Sequence, residues 1–357
     1  MTNKINRFTA PAFCNMHVHF RGPNEDGGAD DPSMMHKVVN QTTRWCDHAL
    51  VMPNPDPPIL SGQQALDYYD AIMRVNTNLH FRPVMSIQLT ESTTTGEIEE
   101  ACQLGIRVVK GYPFGMTHNS QHGIQNYWSQ LMRDRYQALS DRDMVLSLHP
   151  EFPDPDLYWE DREKAFVERV LWWLADQYPA LRIAVEHISS AWTVNAVRRI
   201  YESRGKIIGG FTPLHILTTA NDVVGGRLGI HYFCKPMAKR PEDRAAIQAA
   251  VLAAEPWVEC GTDSAPHLDA NKACDGGRAG SFQDYTALQL LTEFLAQNGR
   301  LDRLPHFGTH NATKFYDLPR TERRIKLVKR PWTVEPIFRG VAPLWAGKEI
   351  SWQVEQS

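Results

Sequence analysis

The sequence has no large excess of charge of either sign, no long apolar run and few cysteines for its length. Its 357 residues carry a formal net charge of −3, which argues against a basic surface for nucleic acid or anionic lipid. No segment has the apolar length of a signal peptide or a membrane span. Since no CxxC pair occurs, we expect reduced thiols in a soluble cytoplasmic protein. The six cysteines are scattered over Cys14, Cys46, Cys102, Cys234, Cys260 and Cys274.

The chain also lacks Gly/Ser-rich linkers, charge runs and low-complexity segments that would divide it. Hydrophobic residues make up 42% of it, which is enough for one large core. We therefore expect a single domain over residues 1–357, with a barrel at about 10–320. The C-terminal appendage, about 321–357, contains several prolines and is predicted to be an irregular segment that contacts the barrel.

Eight short β-type runs alternate with helical patterns. Capping boxes at Ser61–Gln64 and Thr94–Glu97 predict two helix starts, Gly105 is placed to end the second helix, and Pro241 fits the first turn of another. Strand–helix alternation repeated eight times predicts a (β/α)8 TIM barrel, with a doubly wound open sheet as the competing architecture. The predicted strands are Phe13–His19, Ala49–Pro53, Phe81–Ile87, Ile106–Lys110, Met144–His149, Arg182–His187, Lys206–Thr212 and Trp257–Asp263.

Residues that can bind metal ions follow several of these strands. His17 and His19, one residue apart on a strand, point the same way and can reach one ion. Taken singly, such residues have ordinary explanations, such as a hydrogen-bonded histidine or an aspartate that caps a turn. The C-terminal ends of barrel strands meet at one rim, however, so the set predicts a binuclear metal site there. Its other members are Lys110, His149, His187 and Asp263.

The donor types explain why this set suits two metal ions. Imidazole and carboxylate are ligands that Zn²⁺ accepts, with positions left open for water at a catalytic site. A neutral lysine bridges two cations poorly, but a lysine that has reacted with CO₂ is a carbamate whose two oxygens can each bind one ion. Arg21, two residues after His19, could hold an anionic substrate beside the ions.

The chain resembles the dihydroorotases of the amidohydrolase superfamily, in particular their shorter bacterial type. The resemblance extends over nearly the whole chain, including its C-terminal LVKRPWTVEP and LWAGKEISW segments. The matching motifs are HVHFR (His17–Arg21), VMPN (Val51–Asn54), VVKGYP (Val108–Pro113), SLHPE (Ser147–Glu151), VEHISS (Val185–Ser190) and GTDSAPH (Gly261–His267).

The resemblance implies a zinc-dependent cyclic amidohydrolase of pyrimidine biosynthesis, which interconverts N-carbamoyl-L-aspartate and L-dihydroorotate. Its cofactors would be two Zn²⁺ ions per chain, bridged by N6-carboxylated Lys110 and a hydroxide. The hydroxide would attack the ring amide carbonyl, and Asp263 would pass its proton to the leaving nitrogen. The implied ligands are His17, His19 and Asp263 for one ion, His149 and His187 for the other, and Lys110 for both.

The resemblance also implies the substrate contacts and a homodimer. Arg21, Asn54 and His267 would bind the substrate carboxylate, and backbone groups of Lys235 and Ala279 would contact the pyrimidine ring. The loop over residues 114–122 resembles a mobile loop that closes over substrate, and its Thr117 would touch the substrate.

The sequence departs from the family pattern at a few places. Asn15 stands where an acidic residue is usual, His118 replaces a loop hydroxyl, and Lys235 replaces an apolar residue. The stretch 22–33 is longer and more acidic than usual, and we expect a solvated excursion there. Two alternatives stay open: another cyclic-amide hydrolase of the hydantoinase or allantoinase type, and a catalytically inactive barrel that acts as a scaffold.

Overall fold

The computed structural model describes residues 5–26, 33–117 and 120–355 of the chain. Within those ranges no helix is both long enough and apolar enough to cross a membrane. The strands are β1 Arg7–Pro11, β2 Phe13–Val18, β3 Cys46–Val51, β4 Arg82–Val84, β5 Ser86–Leu89, β6 Val108–Gly111, β7 Val145–Leu148, β8 Arg182–Val185, β9 Ile207–Phe211, β10 Val258–Cys260, β11 Arg324–Thr333 and β12 Glu349–Val354.

The α-helices are α1 Met34–Thr43, α2 Gly62–Val75, α3 Thr95–Gln103, α4 Gln130–Asp141, α5 Arg162–Phe166, α6 Trp172–Gln177, α7 Ala191–Arg204, α8 Pro213–Leu217, α9 Ala220–Val224, α10 Pro241–Ala253, α11 Asp269–Lys272, α12 Ala287–Gln297 and α13 Asn311–Phe315. Short 3₁₀ turns cover Ile230–Tyr232 and Leu301–Arg303, and π-helical turns cover Val167–Leu171 and His306–His310.

Strands β2 to β10 form a ring of parallel strands in two sheets, β2-β3-β4 and β5 to β10. The predicted third strand, Phe81–Ile87, is broken at Met85, so its halves β4 and β5 belong to different sheets. At the opposite junction, His19 N donates to Ser264 O (3.0 Å) and Asp263 N donates to His17 O (3.0 Å). The predicted (β/α)8 barrel is thereby confirmed, with a ladder that is interrupted rather than continuous.

Two apolar clusters follow from the alternation of side chains along these strands. One set of residues faces outward and packs against the surrounding helices. The alternate residues, among them Cys14, Leu50 and Val108, fill the barrel interior together with Tyr316. Glu259 of β10 also faces this interior, where its Oε1 accepts a hydrogen bond from Tyr316 Oη (2.9 Å). Burial raises the pKa of Glu259 well above its usual range.

The predicted helix ends are confirmed where local chemistry decides them. Both capping boxes are present at Ser61 and Thr94, Gly105 has a positive φ of 84°, and Pro241 begins α10. Residues Arg162–Gln177 form one helical segment, in which a π-helical turn separates α5 from α6.

The prediction of an irregular C-terminal tail is wrong. Its strands β11 and β12 pair with β1 in an antiparallel three-stranded sheet, in the order β1-β11-β12. Alternation places Ile325, Leu327, Ile350 and Trp352 on one buried face, and their burial stabilises the sheet. The predicted limits of the single domain, barrel and appendage stay predictions.

Candidate metal centre

A cavity opens at the C-terminal ends of the barrel strands, where the sequence predicts the functional residues. Ten of the twelve predicted site residues line it. Of the other two, Lys110 is buried below the ring of Tyr112, and His267 contacts Arg21. The lining residues are His17, His19, Arg21, Asn54, Tyr112, Thr117, His149, His187, Lys235, Asp263, Ala265, Ala279 and Gly280.

His17, His19 and Asp263 form a compact triangle of metal-binding atoms. The two Nε2 atoms are 3.3 Å apart, and Asp263 Oδ1 lies 3.4 Å from His17 Nε2 and 3.1 Å from His19 Nε2. Four ligands placed tetrahedrally at about 2.0–2.1 Å from Zn²⁺ are separated by about 3.3–3.4 Å. The triangle therefore fits one face of such a tetrahedron.

His149 and His187 lie next to each other on the same side of the cavity, with ring centroids 4.6 Å apart. Glu151 Oε2 lies 2.6 Å from His149 Nε2, which leaves Nδ1 of that ring available for a metal ion. His187 Nδ1 is buried and has no hydrogen-bond partner among the described residues. A buried ring nitrogen without a partner fits a ligand of a second ion.

Lys110 extends from the end of β6 into the same region. Its Nζ is buried and has no hydrogen-bond partner among the described residues, and it lies 5.4 Å from the centroid of the Tyr112 ring. Burial lowers the pKa of Lys110 to about 8, against the attraction of Glu186 and Asp263. A lysine with a lowered pKa has a larger neutral fraction, and the neutral amine is the form that reacts with CO₂.

Neighbouring acceptors orient the first two histidines. His17 Nδ1 lies 2.9 Å from Glu186 Oε2, and His19 Nδ1 lies 2.8 Å from Asn54 Oδ1. Ser147 Oγ donates to the other oxygen of Glu186 (2.5 Å). Each ring that donates from Nδ1 presents the lone pair of Nε2 to the triangle, which is how outer acceptors orient metal-binding histidines.

The protonation states also suit metal binding. Burial lowers the pKa of His19 to about 4 and lowers the pKa values of His149 and His187, so these imidazoles are neutral at pH 7. Burial by itself would raise the pKa of Asp263. The close contact with His19 and the electrostatic effect of the His17 and His19 rings outweigh burial and keep this pKa below its usual value.

Three residues of the site have left-handed backbone conformations. Arg21 has φ 65°, His187 has φ 34° and Asp263 has φ 48°. A non-glycine residue at positive φ is strained, and such strain is concentrated at functional sites. No local sequence pattern predicts these conformations, which turn each side chain at its strand end.

Arg21 is held beside the triangle by several contacts. Its Nε donates to Pro266 O (3.0 Å), and its Nη2 lies 3.0 Å from His267 Nε2. His267 Nε2 in turn lies 3.1 Å from Ala279 O, and Tyr68 Oη donates to Arg21 O (2.7 Å). A buried guanidinium in this position can bind a carboxylate through two parallel hydrogen bonds.

Thr117 and Lys235 come to the cavity from two loops. Thr117 N donates to Ser120 Oγ (2.9 Å), and Ser120 Oγ donates to Thr117 O (2.7 Å). Lys235 is exposed. The predicted contribution of His118 lies outside the described residues, as does half of the acidic stretch 22–33, at 27–32.

Comparison with known proteins agrees with this geometry. No family model matches the chain. A dihydroorotase of Coxiella burnetii is 37% identical over 345 residues, which cover 95% of each chain. The chain belongs to the dihydroorotase family. Among solved structures, Saccharomyces cerevisiae dihydroorotase in complex with 5-fluoroorotic acid superposes with a TM-score of 0.89 at 27% identity, covering 98% of this chain and 99% of that one.

The fold alone does not separate dihydroorotases from related barrels. An L-hydantoinase from Arthrobacter aurescens has a TM-score of 0.79 at 15% identity, covering 98% of this chain and 83% of its own. What can distinguish the site of a dihydroorotase from the sites of these related barrels is therefore its side chains.

Asn15, one of the departures from the family pattern, lies fully buried behind the site. Its Nδ2 donates to Thr262 Oγ1 (2.9 Å) and to Asp284 Oδ1 (3.0 Å), and its Oδ1 accepts from Thr262 N (2.9 Å). Asn15 thus binds Thr262, the residue that precedes Asp263. Although Asn15 replaces the acidic residue that is usual in the family, Asp284 supplies a carboxylate next to it.

Sequence reasoning missed several residues of the site. Glu186 and Glu151 lie inside the motifs VEHISS and SLHPE, next to or near their histidines, so the motifs themselves contained the signal. Tyr112 likewise lies inside VVKGYP, two residues after Lys110. Asp284 had no such signal, because its contact with Asn15 depends on how distant segments pack at the barrel rim.

Proposed function

We propose that this chain catalyses the reversible cyclisation of N-carbamoyl-L-aspartate to L-dihydroorotate and water in de novo pyrimidine biosynthesis. The observation that carries this proposal is the buried guanidinium of Arg21, next to His267 and a His/Asp metal-binding triangle. L-dihydroorotate is a cyclic ureide and N-carbamoyl-L-aspartate is an open one, and both carry a carboxylate. A carboxylate-binding arginine beside a hydrolytic centre therefore suits both molecules. Membership of the dihydroorotase family supports the same reaction.

Two Zn²⁺ ions are part of the proposal. His17, His19 and Asp263 would hold one ion, His149 and His187 the second, and carboxylated Lys110 would bridge both. When bound, the ions polarise an amide carbonyl and make water a nucleophile at neutral pH. The neutral imidazoles support this assignment, as does Lys110 Nζ, which has no hydrogen-bond partner among the described residues.

Asp263 is the proton carrier in this proposal. Its pKa is held low, so it is an ionised acceptor at neutral pH. In hydrolysis it takes the proton of the attacking water and gives it to the ring nitrogen that leaves. In cyclisation it removes a proton from the carbamoyl nitrogen as that nitrogen closes on the side-chain carboxyl group, and it returns the proton to the departing hydroxyl group, which leaves as water.

Arg21, Asn54 and His267 orient the substrate through its carboxylate, and the backbone at Lys235 and Ala279 contacts the ring. Asn54 also contacts His19, a member of the metal-binding triangle. A substrate that is bound by Asn54 is therefore held close to the triangle, where its amide carbonyl can react. The loop of Thr117 closes over the bound substrate and excludes water.

An absorbance assay of dihydroorotate hydrolysis, with metal quantification on the same sample, tests this proposal. We expect turnover of dihydroorotate, formation of dihydroorotate from carbamoyl-aspartate, and close to two zinc ions per chain. Turnover of hydantoin or allantoin without dihydroorotate would favour the other cyclic-amide hydrolases. A metal content far below one ion per chain, without turnover, would favour a scaffold.

Substitution of Lys110 tests the bridge separately. Lys110→Ala removes the only side chain proposed to touch both ions, so we expect loss of at least one ion per chain and of most activity. Lys314→Ala, an exposed lysine on α13, is the matched control and keeps wild-type metal content. An unchanged metal content in Lys110→Ala would exclude a carbamate bridge.

A homodimer in the cytoplasm completes the proposal. The dimer comes from the family resemblance, and the location from the composition. All six cysteines are free thiols, which suits a reducing compartment.

A further inference from the structure

A buried lysine outside the metal centre binds the backbone of two loops at the cavity. Lys272 ends the short helix α11 and is 7% exposed. Its Nζ donates to Phe233 O (3.3 Å), to Arg278 O (3.0 Å) and to Gly280 O. An ammonium group has three donors, and here a backbone carbonyl takes each of them.

The three carbonyls belong to the loops that follow β9 and β10. Arg278 and Gly280 flank Ala279, whose backbone is expected to contact the substrate ring, and Phe233 lies two residues before Lys235. Gly280 N also donates to Phe233 O (2.9 Å), so the two loops are joined directly as well as through Lys272.

The same short segment is confined from its other side. Gly280 has φ 145°, and a Cβ at this position would lie 2.6 Å from Ala265 O and 3.0 Å from His267 Cδ2. Ala279 O points to His267 Nε2 (3.1 Å), which lies 3.0 Å from Arg21 Nη2. In the described part of the chain, the Ala279 N–H has no hydrogen-bond partner, so it is left as a donor at the cavity.

Burying an ammonium group is unfavourable unless it has strong acceptors. Burial lowers the pKa of Lys272 to about 8, with a contribution from the nearby charge of Arg21. No carboxylate forms an ion pair with Lys272 among the described residues, so backbone carbonyls alone compensate its burial. This arrangement stabilises one particular conformation of the two loops.

We propose that Lys272 is a positioning residue for substrate binding: its ammonium group holds the 278–280 backbone so that the Ala279 N–H and the His267–Arg21 pair face the substrate. This inference rests on the proposed function, since it assigns how the ring and carboxylate of dihydroorotate are recognised. Lys272 does not contact any of the predicted metal ligands, so its loss is expected to weaken substrate binding more than turnover.

Lys272→Met and Lys272→Arg test this role in the zinc-loaded enzyme. We expect Lys272→Met to raise KM for dihydroorotate and the Kd of orotate, measured by calorimetry, at least tenfold. Its kcat should stay within threefold of wild type and its metal content should not change. Lys272→Arg retains the charge and donors and should recover most of the affinity. Asn271→Ala, whose side chain contacts Asp26 instead of these carbonyls, is the matched control and keeps wild-type constants.

Gly280→Ala tests the same segment with Lys272 intact. Its Cβ would push the backbone away from Ala265, so KM and the Kd of orotate should rise as in Lys272→Met, whether or not that variant folds. Wild-type affinity in Lys272→Met, or an equal loss in Asn271→Ala, overturns the positioning role. So does a loss confined to kcat and metal content. If wild type binds orotate but does not hydrolyse dihydroorotate, the proposed function fails instead.

Discussion

At the scale of single residues, Asp263 combines burial, ionisation and a strained backbone. It is 6% exposed and has φ 48°, yet the imidazoles of His17 and His19 keep its pKa below the usual value. The left-handed turn directs one carboxylate oxygen toward both imidazoles. The same atom can therefore touch a metal ion and a reacting water.

Replacing Asp263 should stop turnover without unfolding the protein. Since general acid–base catalysis contributes roughly 10²–10⁴ in rate, we expect Asp263→Ala to lower kcat by at least about 10²-fold. Its thermal transition should stay close to that of wild type, because the substitution removes a buried charge while the strained backbone conformation at this position is unchanged. Exposed Asp302→Ala is the control, with unchanged kcat. Near-normal turnover in Asp263→Ala would exclude the proton-carrier role.

The pair Asn15–Asp284 leads to a second residue-scale prediction. Asn15→Asp places two buried carboxyl groups about 3 Å apart, at the position of the present hydrogen bond. We expect a loss of about 2 kcal/mol or more in unfolding free energy, because a buried like charge replaces a donor. Urea denaturation measures this loss.

The reciprocal swap provides the control for that prediction. Asn15→Asp combined with Asp284→Asn restores one carboxyl group and one amide, so most of the stability should return. If the double variant is as unstable as the sum of the two single variants, charge repulsion is not the cause.

At the scale of elements, several strands of the barrel carry a site residue at the rim, and several of the outer helices are stabilised by local caps. In α3, Thr94 Oγ1 accepts from Glu97 N (3.1 Å), and Glu97 Oε2 accepts from Thr94 N (2.7 Å). This capping box lies among exposed residues on the outer helical layer, away from the cavity. Helix stability and catalysis are therefore separable here.

Thr94→Ala should lower the unfolding free energy by about 1 kcal/mol, the usual effect of losing an N-cap side chain. KM and kcat should not change, since α3 carries no residue of the site. Thr95→Ala, an exposed neighbour with no side-chain hydrogen bond among the described residues, should leave the urea midpoint unchanged. Equal effects of the two substitutions would contradict the capping explanation.

At the scale of the whole molecule, one buried ion pair joins three segments near the C-terminal ends of the barrel strands. Lys239 Nζ lies 3.0 Å from Glu163 Oε2, and Glu163 Oε1 accepts from Ser189 N (3.1 Å) and Ser190 N (3.1 Å). Glu163 lies in the first turn of α5, Ser189 and Ser190 follow His187, and Lys239 precedes α10. The pair therefore connects the metal-binding rim across elements that are distant in sequence.

This pair predicts how stability depends on pH. Burial alone would raise the pKa of Glu163, but Lys239 and hydrogen bonds from Ser189 and Thr193 hold it at about 2. A folded-state pKa below the unfolded value adds stability above about pH 4.5, which is lost as the pH falls toward 2.

Comparison with Glu163→Gln measures that contribution. At pH 7 wild type should exceed the variant by about 3 kcal/mol in unfolding free energy, and the difference should shrink steadily below pH 4.5. Urea titrations from pH 7 to pH 3 provide the values. A difference that does not vary with pH would show that the Glu163 charge is not responsible.

Much of the fold and of the candidate site could be predicted because the signals are local. Alternating strands and helices identify the barrel, and the carboxyl ends of its strands meet at one rim. The convergence of the predicted metal ligands, which are Lys110, His149, His187 and the histidines of the HVHFR motif, could therefore be predicted without information on long-range contacts. Capping boxes likewise depend on residues three apart.

The sequence by itself determined the order of strands and helices and the residues at the strand ends, because periodicity and strand direction decide both. Tertiary structure alone decided which distant groups meet: β1 with β11, Asn15 with Asp284, Glu163 with Lys239, and Lys272 with the carbonyl of Phe233. Each of these contacts joins segments whose proximity depends on how the whole chain packs. No local pattern contains that information, since a buried charge finds its partner only when the chain has closed around it.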